Sequence, residues 1–286
     1  MRRRVGIIGM GFVGNAVAKG LGDVHNIFCY DKQGRYSTVD FDAFVERSEV
    51  FFIVVPTPTN FDTLEQDLSA VEDVCLRLRN SPEFDIETKI VVLKSTVLPG
   101  TTDRLREHYG FRIVFNPEFL REKTAQEDFL NPARIILGGP PEDTSAVKDV
   151  YLEKFADVDE VNTNYFALVG RKQTHYVLCS AVEAEMVKYM SNCFLATKVS
   201  AFNEFHQLCE KIGARYDVCR DAIVLDERVG KWGTVVPGDD GLLGFGGSCF
   251  PKDLASFIGF SDKLCIDSKV LRAAWEKNLE VRKRAE

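Results

Sequence analysis

The sequence predicts an α/β fold, a doubly wound parallel sheet followed by an all-α domain built on one long spine helix. Three observations carry that expectation. Short β-branched runs alternate with helical stretches over residues 1–180. These runs are apolar on both faces, as strands covered by helices on two sides must be. At Ser180 the texture changes, and a long run without Pro or Gly begins. The 286 residues are about twice a typical domain's length, so two domains are expected, over 1–180 and 181–286.

Taken in order, Val5-Gly6-Ile7-Ile8 reads as the first strand and Ile27-Phe28-Cys29-Tyr30 as the second. Val50 to Val55, Ile90 to Leu93, Ile113 to Phe115 and Ile135 to Leu137 follow, and His175 to Cys179 closes the series. Residues 156–173 fit the pattern poorly and are expected to form an edge hairpin or an excursion. Ser180-Ala181-Val182-Glu183 is a capping box, in which hydroxyl and carboxylate each meet an orphan backbone N–H. The helix it opens should run to Ile212 and stop at Gly213. A helix that long needs apolar cover on several sides, which makes it a domain spine and a candidate dimer contact. A second helix is expected after Asp217, then a glycine-rich loop from Gly230 to Ser248. Pro251 should open a short helix and Ser268 cap the last one.

Composition narrows the function. A net charge of −7 argues against nucleic acid or an anionic membrane as the main partner. No apolar run approaches the roughly 18 residues that a membrane span needs. The eight cysteines form no C-x-x-C pair and no finger spacing. With Arg2-Arg3-Arg4 read as a solvated lead-in and not as the start of a secretory leader, they are expected to be reduced thiols in a cytoplasmic protein. The four histidines, 25, 108, 175 and 206, fall in no motif and are read as structural, so no metal is expected.

Gly9-Met10-Gly11-Phe12-Val13-Gly14 matches G-x-G-x-x-G. The string follows a strand, precedes the helical segment from Asn15 to Leu21, and is answered by Asp31 at the end of the second strand. In a Rossmann-like domain Gly9 permits the tight turn, Gly11 lets the backbone approach a pyrophosphate, and Gly14 lets the helix pack close to the sheet. The helix N-terminus supplies N–H groups for the phosphates. Asp31 would accept the adenosine ribose hydroxyls and repel a 2′-phosphate, so NAD is favoured over NADP, an inference that neighbouring Lys32 and Arg35 soften.

The second informative stretch is Gly244-Phe245-Gly246-Gly247-Ser248-Cys249-Phe250-Pro251-Lys252-Asp253. Pro251 should hold Phe250 extended and take the first helical position, leaving Cys249 just outside a helix N-terminus, where the dipole favours a thiolate. Lys252 adds positive charge. The other seven cysteines are read as small core hydrophobes. A thiol working with a nicotinamide suggests a definite chemistry. Hydride removal from an alcohol gives an aldehyde, thiolate addition gives a thiohemiacetal, a second hydride loss gives a thioester, and hydrolysis gives the acid. The expected reaction is an alcohol-to-acid oxidation consuming two NAD.

Five blocks resemble the UDP-glucose/GDP-mannose dehydrogenase family, in its order. They are the Gly9–Gly14 fingerprint, Val55-Pro56-Thr57-Pro58, Lys94-Ser95-Thr96-Val97-Leu98-Pro99-Gly100-Thr101-Thr102, Asn116-Pro117-Glu118-Phe119-Leu120-Arg121-Glu122, and the Cys249 block. A sixth runs from Ala184-Glu185-Met186-Val187-Lys188 through Asn192 to Phe202-Asn203-Glu204. The resemblance implies oxidation of a nucleotide-sugar C6 alcohol to the acid, UDP-glucose to UDP-glucuronate being the first case to expect. It implies that Cys249 is the nucleophile, with Lys188 and Asn192 near the reacting oxygen, and that Asp253 orders the catalytic water. Glu122 would serve as a base for thioester hydrolysis with Glu118 beside it; four apart, the two could share a helical face. Thr96 would position water and cofactor. Thr57, Phe12 and Val13 join the glycines and Asp31 in holding NAD, while Gly246 and Lys252 line the substrate pocket. Arg228 would reach the substrate across a dimer interface, although neighbouring Asp226 and Glu227 also allow a surface salt bridge.

Members of this family continue into a second Rossmann-like domain that helps bind the nucleotide, and this chain stops at Glu286, where that domain would begin. The expectation is a minimal form without it, a homodimer through the spine helix, with a separate chain as one possible supplier of the missing part. Two other readings stand beside this one. A two-domain β-hydroxyacid dehydrogenase would make a single hydride transfer, and a regulatory dimer would bind NAD without turnover.

Overall fold

The computed structural model describes residues 2–34, 36–157 and 172–283, with backbone alone at 172, 173 and 283. Two compact units result, Met1–Thr57 with Asp67–Lys188, and Pro58–Gln66 with Tyr189–Glu286.

The first unit is built on strands β1 (Arg4–Ile8), β2 (Asn26–Tyr30), β3 (Val50–Ile53), β6 (Ile90–Leu93), β7 (Arg112–Phe115), β8 (Arg134–Gly138), β9 (Phe155–Asp157) and β10 (Lys172–Cys179). Their order in the sheet is β2-β1-β3-β6-β7-β8-β10-β9. Successive side chains point to opposite faces, and both faces are packed. Val5, Ile7, Phe52, Val92 and Val114 join one buried cluster with Val17, Leu21 and Tyr151. Ile8, Phe51, Ile53, Val91, Leu93, Ile113 and Phe115 join the other with Phe44, Cys75 and Leu78. That double cover is why the strands read as continuous apolar runs.

The sheet is parallel as expected except at one joint, where β7 meets β8 antiparallel at Phe115 and Gly138. A parallel return needs a crossover that recrosses the sheet. The connection here offers a 3₁₀ turn at Glu122–Thr124 and the short helix Ala125–Leu130, which packs its Phe129 so tightly on Gly20 that a Cβ there would lie 2.2 Å away. The stretch 156–173, expected as an edge hairpin or an excursion, begins in β9 at the sheet edge, but β9 pairs with the start of β10 in parallel and so forms no hairpin; residues 158–171 lie outside the described residues.

The long helix runs Ala181–Ile212, and the division between units falls inside it, after Lys188. Its capping box is formed: Ser180 N–H donates to Glu183 Oε2 at 2.8 Å, and Glu183 N–H to Ser180 Oγ at 3.3 Å. In the second unit the helix continues beside Tyr216–Ile223, Phe250–Lys263 and Lys269–Lys283. A small antiparallel hairpin, β4 (Thr59–Asn60) and β5 (Glu65–Gln66), belongs to this otherwise helical unit. It packs on Phe250–Lys263 so closely that a Cβ on Gly259 would sit 2.5 Å from the Leu64 carbonyl oxygen. Ser268 takes the N-cap position of the last helix, its carbonyl accepting Arg272 N–H at 3.0 Å, but its buried hydroxyl has no hydrogen-bond partner among the described residues. Among the described residues no helix is long and apolar enough to cross a membrane.

Candidate active site

In the first unit the glycine fingerprint closes β1 onto the helix Phe12–Leu21. Gly9 has φ 96°, and a Cβ there would lie 2.3 Å from the Val54 carbonyl oxygen; one on Gly14 would lie 2.0 Å from that of Gly9. Neither position admits a side chain. Gly11 differs, because a Cβ there would meet nothing within 4 Å. It takes the N-cap position with no side-chain cap, so the N–H groups of Phe12, Val13 and Gly14 face an open approach. Asp31 follows β2, with Oδ2 accepting Met10 N–H and Oδ1 accepting Gln33 N–H, both at 2.8 Å. Each oxygen keeps a lone pair for a further donor. This arrangement fits a dinucleotide: open N–H groups for phosphate and a carboxylate for ribose hydroxyls. Arg35 lies outside the described residues. Thr57 and Thr96 are buried side by side, with Thr57 Oγ1 donating to the Thr96 carbonyl at 2.7 Å.

Beside them lies a buried charge cluster. Lys188 Nζ pairs with Glu118 Oε1 at 2.9 Å, the side chains 3% and 7% exposed. Burial alone would raise the Glu118 carboxyl, but Lys188, aided by the Leu120 N–H and by Lys94, holds it below the usual carboxylate range. Lys94 Nζ donates to Asn116 Oδ1 at 2.9 Å, and burial pushes that lysine down to about 8. The two glutamates do not share a helical face. Glu118 sits in an irregular segment, fixed by its own bond to Leu120 N–H at 2.8 Å, whereas Glu122 is exposed and opens a 3₁₀ turn. The Pro117 between them and β7 keeps this stretch out of helix.

In the second unit Cys249 takes the N-cap position of Phe250–Lys263, its thiol half-buried and 3.7 Å from Ser248 Oγ. The helix begins at Phe250 and not at Pro251. Phe250 is helical where an extended conformation was expected; proline costs nothing there because no first-turn N–H has an intrahelical acceptor. One turn on, Asp253 is 1% exposed and doubly held, by Asn192 Nδ2 at 2.6 Å and Lys252 Nζ at 2.5 Å. Thus Asn192 and Asp253 are brought together, while Lys188 is engaged by Glu118. The loop before Cys249 is pinned from three sides. Asn203 Oδ1 accepts Gly244 N–H at 2.8 Å, Asn278 Oδ1 accepts Phe245 N–H at 2.7 Å, and Arg282 Nε donates to the Phe245 carbonyl at 3.1 Å. Arg282 crosses Gly246 so closely that a Cβ would lie 2.2 Å from its guanidinium. Arg228 is 90% exposed and paired with neighbouring Asp226 at 2.5 Å. Of the other cysteines, Cys29, Cys75 and Cys193 are buried, but Cys219 and Cys265 are exposed rather than part of any core.

The profile of the UDP-glucose/GDP-mannose dehydrogenase NAD-binding domain matches residues 31–155, and that of the family's central domain matches 182–280. The chain belongs to this family. It is 34% identical over 236 residues to UDP-glucose 6-dehydrogenase of Rickettsia typhi, an alignment covering 80% of this chain and 49% of that protein. The chain spans about half the length of the curated relatives it matches. Among solved structures, a UDP-glucose dehydrogenase from the hyperthermophilic archaeon Pyrobaculum islandicum superposes with TM-score 0.81 at 29% identity, over 98% of this chain and 68% of that one. The 3-hydroxyisobutyrate dehydrogenase of Mycobacterium tuberculosis shares the fold, with TM-score 0.70 at 16% identity over 98% of this chain and 94% of that one.

Several supporting residues carried no assigned role in the sequence. Lys94, Asn116, Glu185 and Asn203 stood inside the family blocks as bare letters, and Tyr151 and Arg282 outside them. A lysine closing the apolar strand Ile90–Leu93 was the one visible signal, because an ammonium is rarely buried without purpose.

Proposed function

We propose that this chain is an NAD-dependent nucleotide-sugar dehydrogenase of the UDP-glucose 6-dehydrogenase type, oxidising a C6 alcohol to the carboxylic acid. The observation that carries this reading is the pairing, in one unit, of a helix-capping thiol with a buried carboxylate one turn on, Cys249 and Asp253. A single-hydride dehydrogenase has no use for that thiol. Dinucleotide binding is assigned to the first unit, through Gly9, Gly11, Phe12, Val13, Gly14, Asp31, Thr57 and Thr96. The chemistry of the substrate carbon is assigned to Cys249, Asn192, Asp253 and Lys188.

Bound NAD supplies the hydride acceptor, used twice per product. The chain's own groups manage the rest. Lys188 presents a cation that stabilises negative charge on the reacting oxygen as the alcohol loses its proton. Cys249 Sγ adds to the aldehyde carbon, forming a C–S bond and a thiohemiacetal. Loss of the second hydride and a proton leaves a thioester, which holds the acyl group away from solvent. Asp253, oriented by Asn192, orders a water and accepts its proton as the oxygen attacks, and the C–S bond breaks to return the thiol. Glu118 keeps Lys188 in place, Glu122 is a further base for the hydrolysis, and Gly246, Lys252 and Arg228 are assigned to the nucleotide sugar. A reducing cytoplasm suits a thiol nucleophile.

The test counts products. NADH formed against a panel of UDP- and GDP-sugars should reach two per acid with UDP-glucose. Cys249→Ala should abolish acid while leaving NAD binding nearly intact, since the fingerprint belongs to the other unit. One NADH per product would favour the β-hydroxyacid dehydrogenase reading, to which the near-complete overlap with 3-hydroxyisobutyrate dehydrogenase lends its fold, whereas acid formation undiminished in the variant would refute the covalent route through Cys249.

A further inference from the structure

Lys94 follows β6 and is 5% exposed. Among the described residues its ammonium has a single acceptor, Asn116 Oδ1. Asn116 cannot turn away: its Nδ2 donates to the Ile136 carbonyl at 2.8 Å, and Tyr151 OH donates to the same Oδ1 at 2.7 Å. Two residues on, Glu118 takes Lys188. The row Lys94, Asn116, Glu118, Lys188 thus places two ammoniums around one carboxylate in a buried space. One carboxylate can neutralise only one of them, and an ammonium with three donors and one acceptor is poorly satisfied.

We propose that Lys94 is a positioning residue for the Lys188–Glu118 pair, pinning the segment from Asn116 to Glu118 and setting the charge balance in which Lys188 works. The proposal rests on the reading of Lys188 as a cation of the active site. Two consequences follow from the second positive charge. It favours Glu118 as a carboxylate, and it repels the Lys188 ammonium, easing proton release. The groups facing Lys94 are Glu118, Lys188 and, through Asn116, the Tyr151 phenol, which burial keeps neutral.

The experiment follows lysine side chains labelled with carbon-13 at Cε by NMR as pH is varied, in the full chain, with Lys94→Met and Lys188→Met giving the assignments. In the parent protein Lys94 should titrate well below the surface lysines. In Lys94→Met the Lys188 signal should titrate higher by about one pH unit. Turnover gives the second readout. In Lys94→Met kcat should fall by about tenfold or more, KM for NAD should stay unchanged, and the acidic limb of kcat should move to higher pH as Glu118 loses a neighbouring cation. A residue that merely fills space would lower thermal stability without moving that limb or the Lys188 titration. Lys94→Gln serves if the methionine variant does not fold. Lys94 titrating with the surface lysines, or a Lys188 titration unmoved by its loss, overturns the proposal. Absence of nucleotide-sugar oxidation by the parent chain would refute the activity instead, and the lysine titrations would still decide the coupling.

Discussion

Gly9 and Gly11 stand two positions apart and answer opposite needs. At Gly9 the backbone is left-handed and a carbonyl blocks the Cβ position, so Gly9→Ala should destabilise the fold by ~2 kcal/mol or more, seen as a lowered denaturation midpoint. At Gly11 the space is open, so Gly11→Ala should leave stability unchanged and weaken NAD binding, because the methyl occupies the approach of the phosphates. NAD titrated by calorimetry separates the two; undiminished affinity in Gly11→Ala would show that the pyrophosphate lies elsewhere. Both glycines were legible, since their spacing is set by one local turn. The glutamates were not. Four-residue spacing is helical only if the chain is helical there, and Pro117 with the buried bond of Glu118 to Leu120 N–H decides otherwise.

At the scale of elements, the carboxylate of Glu185 closes the start of the helix Thr101–Tyr109. It accepts Gly100 N–H at 2.6 Å, Thr102 N–H at 2.8 Å and Thr102 Oγ1 at 2.6 Å. One side chain from the long helix thereby fills a helix N-terminus that no local residue caps. Burial pushes this carboxyl up to about 7 against those donors, from 4.5 when unfolded. The folded form therefore binds the proton more tightly, and its contribution to stability is fully present below pH 4.5 and lost as pH rises through about 7. Unfolding free energy measured in urea should fall across that window by on the order of 3 kcal/mol more in the parent protein than in Glu185→Gln. Equal slopes would show the carboxyl ionised throughout. The Ser180 cap was readable because its partner lies three residues away. Ser268 also read as a cap, yet its hydroxyl is buried without a partner among the described residues, a matter of packing and not of the local string.

At the scale of the molecule, the long helix carries an uncovered apolar stripe. Met190, Phe194, Phe205, Leu208 and Ile212 follow one another at intervals of four, eleven, three and four residues, which puts them on one helical face, with Phe194 69% and Ile212 77% exposed. Phe205, Leu208 and Ile212 continue into an apolar groove with Tyr216 and Ile223. A second copy of the chain is the occupant we propose, since the same stripe on two antiparallel helices is self-complementary. Light scattering should give twice the chain mass of 32.2 kDa, and Leu208→Glu with Ile212→Glu should return the single-chain mass. A parent protein already of single-chain mass would remove the homodimer.

The sequence by itself determined the main strands of the large sheet, β9 and the small hairpin β4–β5 excepted, the dinucleotide turn, the long helix with its cap and the place of Cys249 at a helix start. Each follows from residue types within a few positions of one another: side-chain periodicity, backbone sterics and local hydrogen bonds. Tertiary structure alone decided which carboxylate holds which cation, that Glu118 is buried and Glu122 exposed, that residues 58–66 join the second unit, and that Lys94 stands behind the Lys188–Glu118 pair. Those outcomes depend on burial and on partners distant along the chain, 70 residues apart for Lys188 and Glu118 and 193 for Thr59 and Lys252, and no window of sequence records what the rest of the fold removes from water.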